Sequence, residues 1–296
     1  MQQLEIQEQE IGTRLDRVLC NRLTLSRSQV KRLFEAGEVR RNGRRAGKGE
    51  LVARGDRVEL GAELAESSAQ PDSSVVLEVR YEDADLVIVD KAPGIPSHPL
   101  RPGELGCLAN GLLWRYPEMS GTGYDDRQPG LVNRLDNDTS GLVLAARSPE
   151  AFAALRAALE GGQVHKRYLA LVAVPIRPQS IELSLSPSPR HRARVEVNAL
   201  GRPAVSLVAS CRPHGELFLV EVLASRAYRH QVRAHLAAVG SPIVGDVLYG
   251  GLFGARHYLH AAWLAFTHPF SGATVDVVSE LPSDWPTEQT ERGEEA

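Results

Sequence analysis

The sequence of 296 residues is longer than one domain of average size, so we expect a large domain and a small one. Hydrophobic residues make up 43% and charged residues 24%, as in ordinary globular proteins, and no apolar stretch is long enough to cross a bilayer. The net charge of −3 excludes a uniformly basic protein, and the three distant cysteines exclude a CxxC zinc or redox motif. The polar segment 1–10 lacks the apolar core of an export signal, and we therefore expect a cytoplasmic protein.

Residues 1–60 predict a small domain of two helices and a small sheet. Thr13 is the predicted N-cap of the first helix, and Ser26 begins a second helix that stops at Gly37. The pair Asn42-Gly43 is a strong hairpin signal between short strands.

The small domain also holds the basic charge of the chain. Residues 27–57 contain ten Lys or Arg and four Asp or Glu, a balance of +6, which leaves −9 for the remainder. Such clustering indicates phosphate binding, although a solvated basic face is the alternative. The candidate RNA contacts here are Arg27, Lys31, Arg32, Arg40, Arg41, Arg44 and Lys48.

Residues 61–74 lack an apolar pattern and are predicted to be a linker, followed by a second domain over 75–282. Strands are predicted at 75–79, 86–89 and 164–174, together with a helix over 151–159 that has Ser148 as its N-cap. Because strands outnumber helices, we expect an α+β fold with a mainly antiparallel mixed sheet. The acidic residues 283–296 predict a disordered tail.

The densest cluster of polar residues lies in segment 133–141, directly before an apolar strand. These residue types also form turns, so a plain loop is one interpretation. Arg134, Asp136 and Asp138 would share one face of an extended segment, which would also suit a pair of glycosidase carboxylates or a metal site.

A helix is predicted over 229–239, with Arg229 and Arg233 beside its buried stripe. A buried arginine requires an acidic partner, and a surface phosphate contact is the alternative. His230 and His235 are five positions apart and fall on different faces of this helix, so we expect no metal site here.

The order of Arg14-Leu15-Asp16, Ser26-Arg27, Gly37-Glu38-Val39, Asn42-Gly43, Lys48 and Gly55-Asp56 resembles the RNA-binding domain first seen in ribosomal protein S-four. This resemblance covers residues 12–60. It implies that the basic small domain binds RNA.

Residues 75–270 resemble the pseudouridine synthases of the RluA type. The signature is Arg134-Leu135-Asp136 followed by Thr139-Ser140-Gly141, and three other ordered segments match. These are 81–94 with the following His98-Pro99, Lys166-Arg167-Tyr168-Leu169-Ala170, and the run from His230 to Leu236 with the segment 242–250 behind it.

The resemblance implies roles for individual residues. Asp136 would be the catalytic carboxylate, as nucleophile or as base, and Arg233 would pair with it and keep it ionised, in a geometry that we expect to be bidentate. Tyr168 would pack on the target uracil, although alone it could be a core aromatic. Arg134 would stabilise the flipped nucleotide, and Arg229 would contact RNA. Two segments depart from the family pattern, with Asn133 in place of His and Ala227-Tyr228-Arg229 in place of Gly-Arg-Thr.

The predicted function is that of a monomeric, cofactor-independent RNA pseudouridine synthase with no metal and no membrane association. Large-subunit ribosomal RNA is the favoured substrate, since an appended domain of the S-four type resembles family members that modify it. Transfer RNA is an alternative substrate. The alternative functions are a catalytically silent RNA-binding or ribosome-assembly factor and a glycoside hydrolase that uses Asp136 and Asp138.

Overall fold

The computed structural model describes residues 2–23, 27–61, 68–101, 103–191 and 193–286, without the side chains of residues 2, 27–29 and 32. Ser26, the predicted start of the second helix, lies outside the described residues. So do residues 62–67 of the predicted linker and 287–296 of the predicted tail. None of the helices in the described ranges is long and apolar enough to span a membrane.

The N-terminal residues form a small unit with a core of its own. Its helices are α1 (Leu15–Arg22) and α2 (Arg27–Ala36), and its strands are β1 (Gln2–Glu5), β2 (Val39–Arg41), β3 (Arg44–Arg45) and β4 (Arg57–Leu60). The strands pair antiparallel in the order β1-β4-β2-β3. Leu15, Leu19 and Val30 on the two helices are fully buried and pack with Val58 and Leu60 of the sheet.

The hairpin predicted at Asn42-Gly43 is confirmed, with φ of 53° at Asn42 and 76° at Gly43, as a two-residue turn of type I′ requires. The predicted cap of the first helix is wrong, because Arg14 occupies the N-cap position in place of Thr13. Backbone bonds from Val52 to the Thr13 carbonyl and from Leu15 to the Glu50 carbonyl hold residues 13 and 14 extended. The helix therefore begins one residue later than local sequence suggests.

In the described part of the chain, nine strands form one large sheet beside a separate two-stranded ribbon. The strands, with β10 and β11 forming the ribbon, are β5 (Glu78–Glu82), β6 (Leu86–Lys91), β7 (Ser140–Ala146), β8 (His165–Val172), β9 (Gln179–Glu182), β10 (Leu185–Pro187), β11 (Val195–Val197), β12 (Val205–His214), β13 (Leu217–Leu223), β14 (Leu259–Thr267) and β15 (Thr274–Val278). The large sheet has the order β5-β6-β7-β14-β8-β13-β12-β9, and β15 pairs with β14. The short pairing of β7 with β14 is parallel and the other pairings are antiparallel.

Helices α3 (Leu108–Arg115), α4 (Pro149–Glu160) and α5 (Gln231–Ala238) pack on this sheet. Ile88 and Leu144 lie in one core with α4, whereas Val87 and Val143, on the opposite face, lie in the core that contains α3 and α5. Burial on both faces explains why β6 and β7 are continuous apolar runs without alternation. The predicted α+β fold with a mainly antiparallel mixed sheet is confirmed.

Tertiary contacts move several predicted boundaries. Ser148 caps α4 as predicted, since its Oγ accepts the Ala151 N–H at 3.1 Å. The first strand of the large sheet begins at Glu78, three residues later than predicted. Ala69, at the end of the predicted linker, is buried in the large core.

The predicted tail begins too early, because residues 283–286 are part of the packed structure. Trp285 is buried, with its ring 5.7 Å from that of Tyr258, and Asp284 forms an ion pair with Arg256 at 2.6 Å. Burial of the large apolar indole ring holds residues 283–286 against the protein, although their composition alone predicts a disordered segment.

Candidate active site

The segment 133–139 forms a loop that leads into β7 and is fastened to β14 at its far end. Thr139 Oγ1 is hydrogen-bonded to His257 Nε2 at 2.7 Å, and Ser140 Oγ to His260 Nδ1 at 3.0 Å. Gly141, at φ 107°, lies so close to β14 that a Cβ there would be 2.3 Å from the Ala261 carbonyl oxygen. This position therefore requires glycine.

The side chain of Lys91, at the end of β6, holds the middle of the loop. Its ammonium group is almost fully buried and donates to the carbonyls of Ala92, Ile95 and Asn137 at 2.8–2.9 Å. Burial lowers the pKa of Lys91 to about 7, and the charges of Asp138 and Asp136 oppose that shift. Three carbonyl acceptors satisfy its three donor positions, so Lys91 ties the loop to the turn after β6.

Asp136 lies in this loop and is joined to a buried arginine. Arg233 Nη1 of α5 donates to Asp136 Oδ2 at 2.7 Å. The same guanidinium makes a two-pronged contact with Asp246, from Nε to Oδ2 at 2.6 Å and from Nη2 to Oδ1 at 2.8 Å. The bidentate partner of Arg233 is thus Asp246, whereas Asp136 receives a single bond. The prediction of a bidentate Arg233–Asp136 pair was wrong, since Asp246 takes the Nε and Nη2 edge of the guanidinium and Asp136 is bonded through Nη1 alone.

This arrangement favours the ionised form of Asp136. Burial would raise its pKa, but the charges of His230 and Arg233 outweigh burial and the pKa lies below its usual value. Burial in turn lowers the pKa of His230 to about 4, so near neutral pH this imidazole is uncharged. Arg233 is then the cation that keeps Asp136 ionised.

Tyr168 on β8 lies on the wall of the same cavity. Its side chain is 5% exposed, and burial, together with the charge of Asp136, raises the pKa of its phenol, which stays protonated. The open cavity has a volume of about 860 Å³, and its lining includes Asp136, Tyr168 and Arg233. A cavity of this volume can hold one nucleotide, and an aromatic wall beside a carboxylate suits a base placed next to its sugar.

Comparison with known proteins agrees with this geometry. The family model of RNA pseudouridylate synthase matches residues 85–238, and that of the S4 domain matches residues 13–58. An uncharacterized RNA pseudouridine synthase of Chloroflexus aurantiacus is 36% identical over 93% of this chain and 88% of that protein. The chain belongs to the RNA pseudouridylate synthase family.

Other relatives agree with this assignment. The ribosomal large subunit pseudouridine synthase D of Xanthomonas campestris is 31% identical, with 96% of this chain and 90% of that protein covered. The solved structure of human RNA pseudouridylate synthase domain containing 1 shares the fold, with a TM-score of 0.55 and 24% identity over 71% of this chain and 86% of that chain. This synthase is therefore an isomerase that acts on uridine in RNA and has an N-terminal RNA-binding domain. The family assignment replaces the glycoside-hydrolase alternative.

The predicted RNA contacts of the S4 domain differ in their surroundings. Arg40, Arg44 and Lys48 are exposed, and Lys31 is exposed beside Glu35, with 3.3 Å between the charged atoms. Arg41 is held inside the domain, because its Nε lies 2.7 Å from Asp56 Oδ2 and its Nη1 lies 3.4 Å from Glu50 Oε2. The RNA contact predicted at Arg41 stays a prediction for a guanidinium that is already paired with two carboxylates, and the side chains of Arg27 and Arg32 are outside the described part.

Two further predicted RNA contacts, Arg134 and Arg229, line the cavity. Arg134 is exposed and donates from Nη1 to Gln128 Oε1 at 3.1 Å. Arg229 donates from Nη2 to the Ala193 carbonyl at 2.6 Å. Both residues thus line the cavity that also contains Asp136 and Tyr168.

The sequence analysis assigned no role to two residues that hold this site together, Asp246 and Lys91. Asp246 stands in a segment that matches the family, but its pairing with Arg233 depends on how α5 packs. A signal did exist for Asp246, since a single carboxylate between apolar residues is costly unless it is paired. Asn133, which departs from the family pattern, accepts the Leu144 N–H at 2.7 Å and so fastens the chain before the loop to the second half of β7.

Proposed function

We propose that this synthase isomerises uridine at Asp136, with Tyr168 against the uracil and Arg233 as the cation that keeps Asp136 ionised. The observation that carries this proposal is the 2.7 Å bond from Arg233 to Asp136 within the cavity that Tyr168 lines. An ionised carboxylate at the cavity wall can act on the sugar, either as nucleophile at C1′ or as base at C2′.

The chemistry balances without another reactant. The bond between N1 of uracil and C1′ breaks, the uracil turns, and a bond forms between C5 and C1′. The hydrogen lost from C5 is matched by the one gained at N1, and no electrons are exchanged with another molecule. Tyr168 keeps its proton, so its ring supplies a packing surface and its hydroxyl can donate a hydrogen bond to the base.

We further propose that the substrate is large-subunit ribosomal RNA and that the protein works as a monomer in the cytoplasm. Relatives named ribosomal large subunit pseudouridine synthase D, similar over nearly the whole chain, support this substrate. A monomer is supported because Asp136, Tyr168 and Arg233 come together within one chain.

Mapping pseudouridines across total RNA, with and without the gene, tests the substrate. We expect one or more sites in large-subunit ribosomal RNA to be lost with the gene and restored by the wild-type gene. Loss of sites in transfer RNA alone would show that transfer RNA is the substrate. An unchanged map would favour the silent RNA-binding factor, the second candidate function.

Deleting residues 1–60 is expected to leave a folded, weakly active enzyme that binds RNA with lower affinity and smaller salt dependence. The S4 domain has its own core, and its exposed cations would release counterions from the RNA. Each phosphate contact adds about 0.7 to the slope of log affinity against log salt for single strands. The measurement is RNA affinity over a series of salt concentrations.

A matched control for this deletion is the triple variant Arg40→Gln, Arg44→Gln and Lys48→Gln, which keeps the domain and removes three exposed charges. It should lower the slope by part of the amount that the deletion does. If neither protein changes the slope, the S4 domain does not bind RNA through these phosphate contacts.

Arg134→Ala is expected to cost far more rate on a structured RNA than on a short single strand. A uridine in a stem must leave its stack before Asp136 can reach the sugar, which costs a few kcal/mol. Arg134 is an exposed planar cation at the cavity, so it can fill the gap by stacking on the neighbouring bases. Single-turnover rates on both substrates measure the difference.

Arg134→Lys serves as the control, because it keeps the charge but loses the planar surface. If stacking matters, Lys should recover little of the rate on structured RNA. Equal losses on the two substrates would assign Arg134 to the architecture or charge of the site and not to flipping.

A further inference from the structure

His230 stands immediately before α5 in a conformation unusual for its residue type. Its φ of 54° and ψ of 14° place it in the left-handed region, which Asn, Asp and His tolerate better than other residues with a Cβ. Its side chain is 10% exposed and lines the cavity, with Nε2 lying 3.7 Å from Asp136 Oδ1.

The hydrogen bonds of Tyr249 favour one position for the proton of the His230 ring. The Tyr249 hydroxyl donates its one hydrogen to the Val195 carbonyl at 2.9 Å and accepts the Val195 N–H at 3.0 Å. The same oxygen lies 3.1 Å from His230 Nδ1. With that hydrogen on the Val195 carbonyl the hydroxyl accepts from Nδ1, so the contacts of Tyr249 favour the tautomer of His230 that carries its hydrogen on Nδ1.

A neutral imidazole with a hydrogen on Nδ1 presents a lone pair at Nε2. The cavity beside Asp136 thus has two acceptors 3.7 Å apart, the imidazole Nε2 and the carboxylate Oδ1. Two facing acceptors repel each other unless a donor lies next to them. The arrangement is suited to a ligand that brings a hydroxyl hydrogen to this place.

We propose that His230 Nε2 accepts a hydrogen bond from the ribose 2′-hydroxyl of the target nucleotide. This inference rests on the proposed placement of the sugar at Asp136. The 2′-hydroxyl is attached to C2′, which is bonded to C1′, so it lies beside the carboxylate whichever carbon Asp136 acts on. His230 is then a residue that selects ribose over deoxyribose at the reacting nucleotide, since the 2′-hydroxyl is the group that distinguishes them.

The chain offers a matched pair of variants at this position. In His230→Asn the amide nitrogen can take the place of Nδ1 and bond to Tyr249, the backbone conformation is tolerated, and nothing replaces Nε2. In His230→Gln the longer side chain can place a carbonyl oxygen where Nε2 was. The first variant removes the proposed acceptor and the second restores one.

The substrates are two oligoribonucleotides that span the uridine found by mapping, with uridine or 2′-fluoro-2′-deoxyuridine at the target. Fluorine keeps a ribose-like pucker but cannot donate a hydrogen bond. We expect fluorine to weaken binding to the wild type and to His230→Gln about tenfold more than binding to His230→Asn, as one hydrogen bond would. Effects of fluorine on the sugar itself are common to all three proteins and cancel in this cycle.

Equal effects of fluorine on the wild type and on His230→Asn would overturn the proposal. A measurement on the unaltered protein guards against a variant that does not fold. Nitrogen-15 spectra of labelled histidine should show a hydrogen on Nδ1 and none on Nε2 of His230, and the Nε2 signal should shift with the uridine oligonucleotide only. A hydrogen on Nε2 would also overturn it. If the wild type does not convert the uridine oligonucleotide at all, the proposed target uridine is wrong. The role of His230 is then tested by the nitrogen-15 measurement of its tautomer.

Discussion

Asp136→Asn is expected to abolish pseudouridine formation, with a loss of about 10⁴-fold or more, the upper range for a general base. The amide keeps the size of the carboxylate but can act neither as nucleophile nor as base. Arg233 retains its two bonds to Asp246, so the variant should stay folded and bind RNA. Tritium release from RNA labelled at C5 of uracil measures the activity.

Asp138→Asn is the matched control, because Asp138 is the neighbouring carboxylate of the same loop. Asp138 Oδ1 accepts a bond from Asn137 at 3.2 Å, which an amide oxygen can also accept. We expect this variant to retain activity within a few-fold of the wild type. Substantial turnover by Asp136→Asn, or an equal loss in both variants, would remove the catalytic role from Asp136.

Arg233→Gln is expected to cause the largest loss of stability together with loss of activity near neutral pH. It leaves the carboxylates of Asp136 and Asp246 without their shared cation, and removing one partner of a buried ion pair costs about 3–5 kcal/mol. The pKa of Asp136, now lowered, should rise above its usual value, because His230, with a pKa of about 4, is uncharged at higher pH and burial then acts without a compensating cation.

The sign of the pH effect follows from this change. In the wild type the lowered pKa of Asp136 contributes stability that is present above the unfolded pKa of 3.8 and is lost as the pH falls through the folded pKa. In Arg233→Gln the raised pKa reverses that contribution, so the difference in unfolding free energy should grow as the pH rises from acid to neutral. Urea denaturation at several pH values measures it. A difference that does not vary with pH would show that lost packing, and not charge, destabilises the variant.

Arg233→Lys tests the geometry separately from the charge. Lysine presents a compact charge without a fork, so it cannot keep the two bonds to Asp246 and the bond to Asp136 together. Its stability should lie between those of the wild type and Arg233→Gln, while its activity should remain low.

The sequence predicted the components of the site better than their connections. The loop that carries Asp136 and the buried arginine were predicted because polar residues beside apolar runs stand out locally. Arg233 forms two hydrogen bonds with Asp246 because of the way α5 packs against the segment that follows it. No local sequence pattern predicts that packing. The role of Tyr249 depends likewise on Val195, 54 positions away.

The predicted boundaries of helices and segments were wrong where contacts with distant residues outweigh the local conformational preference of the sequence. Thr13 is a good helix cap by residue type, yet bonds to the backbone of residues 50 and 52 keep this segment extended. Trp285 is buried although acidic residues surround it in sequence. Arg41 was grouped with the RNA contacts by charge, but Asp56, 7% exposed in its side chain, pairs with it inside the domain.

The attachment of the loop 133–139 at β14 bears on how the family signature is interpreted. Thr139 and Ser140 bond to His257 and His260, and Gly141 makes room for the backbone at Ala261. Half of the motif thus fixes the loop to the sheet, and only one of its residues is the carboxylate that we propose to react. A homologue could lose its aspartate, keep Thr-Ser-Gly for folding, and persist as an inactive RNA-binding paralogue. To identify active members of the family from sequence, one therefore has to find both the aspartate and the arginine that pairs with it. A match to the motif as a whole is not sufficient.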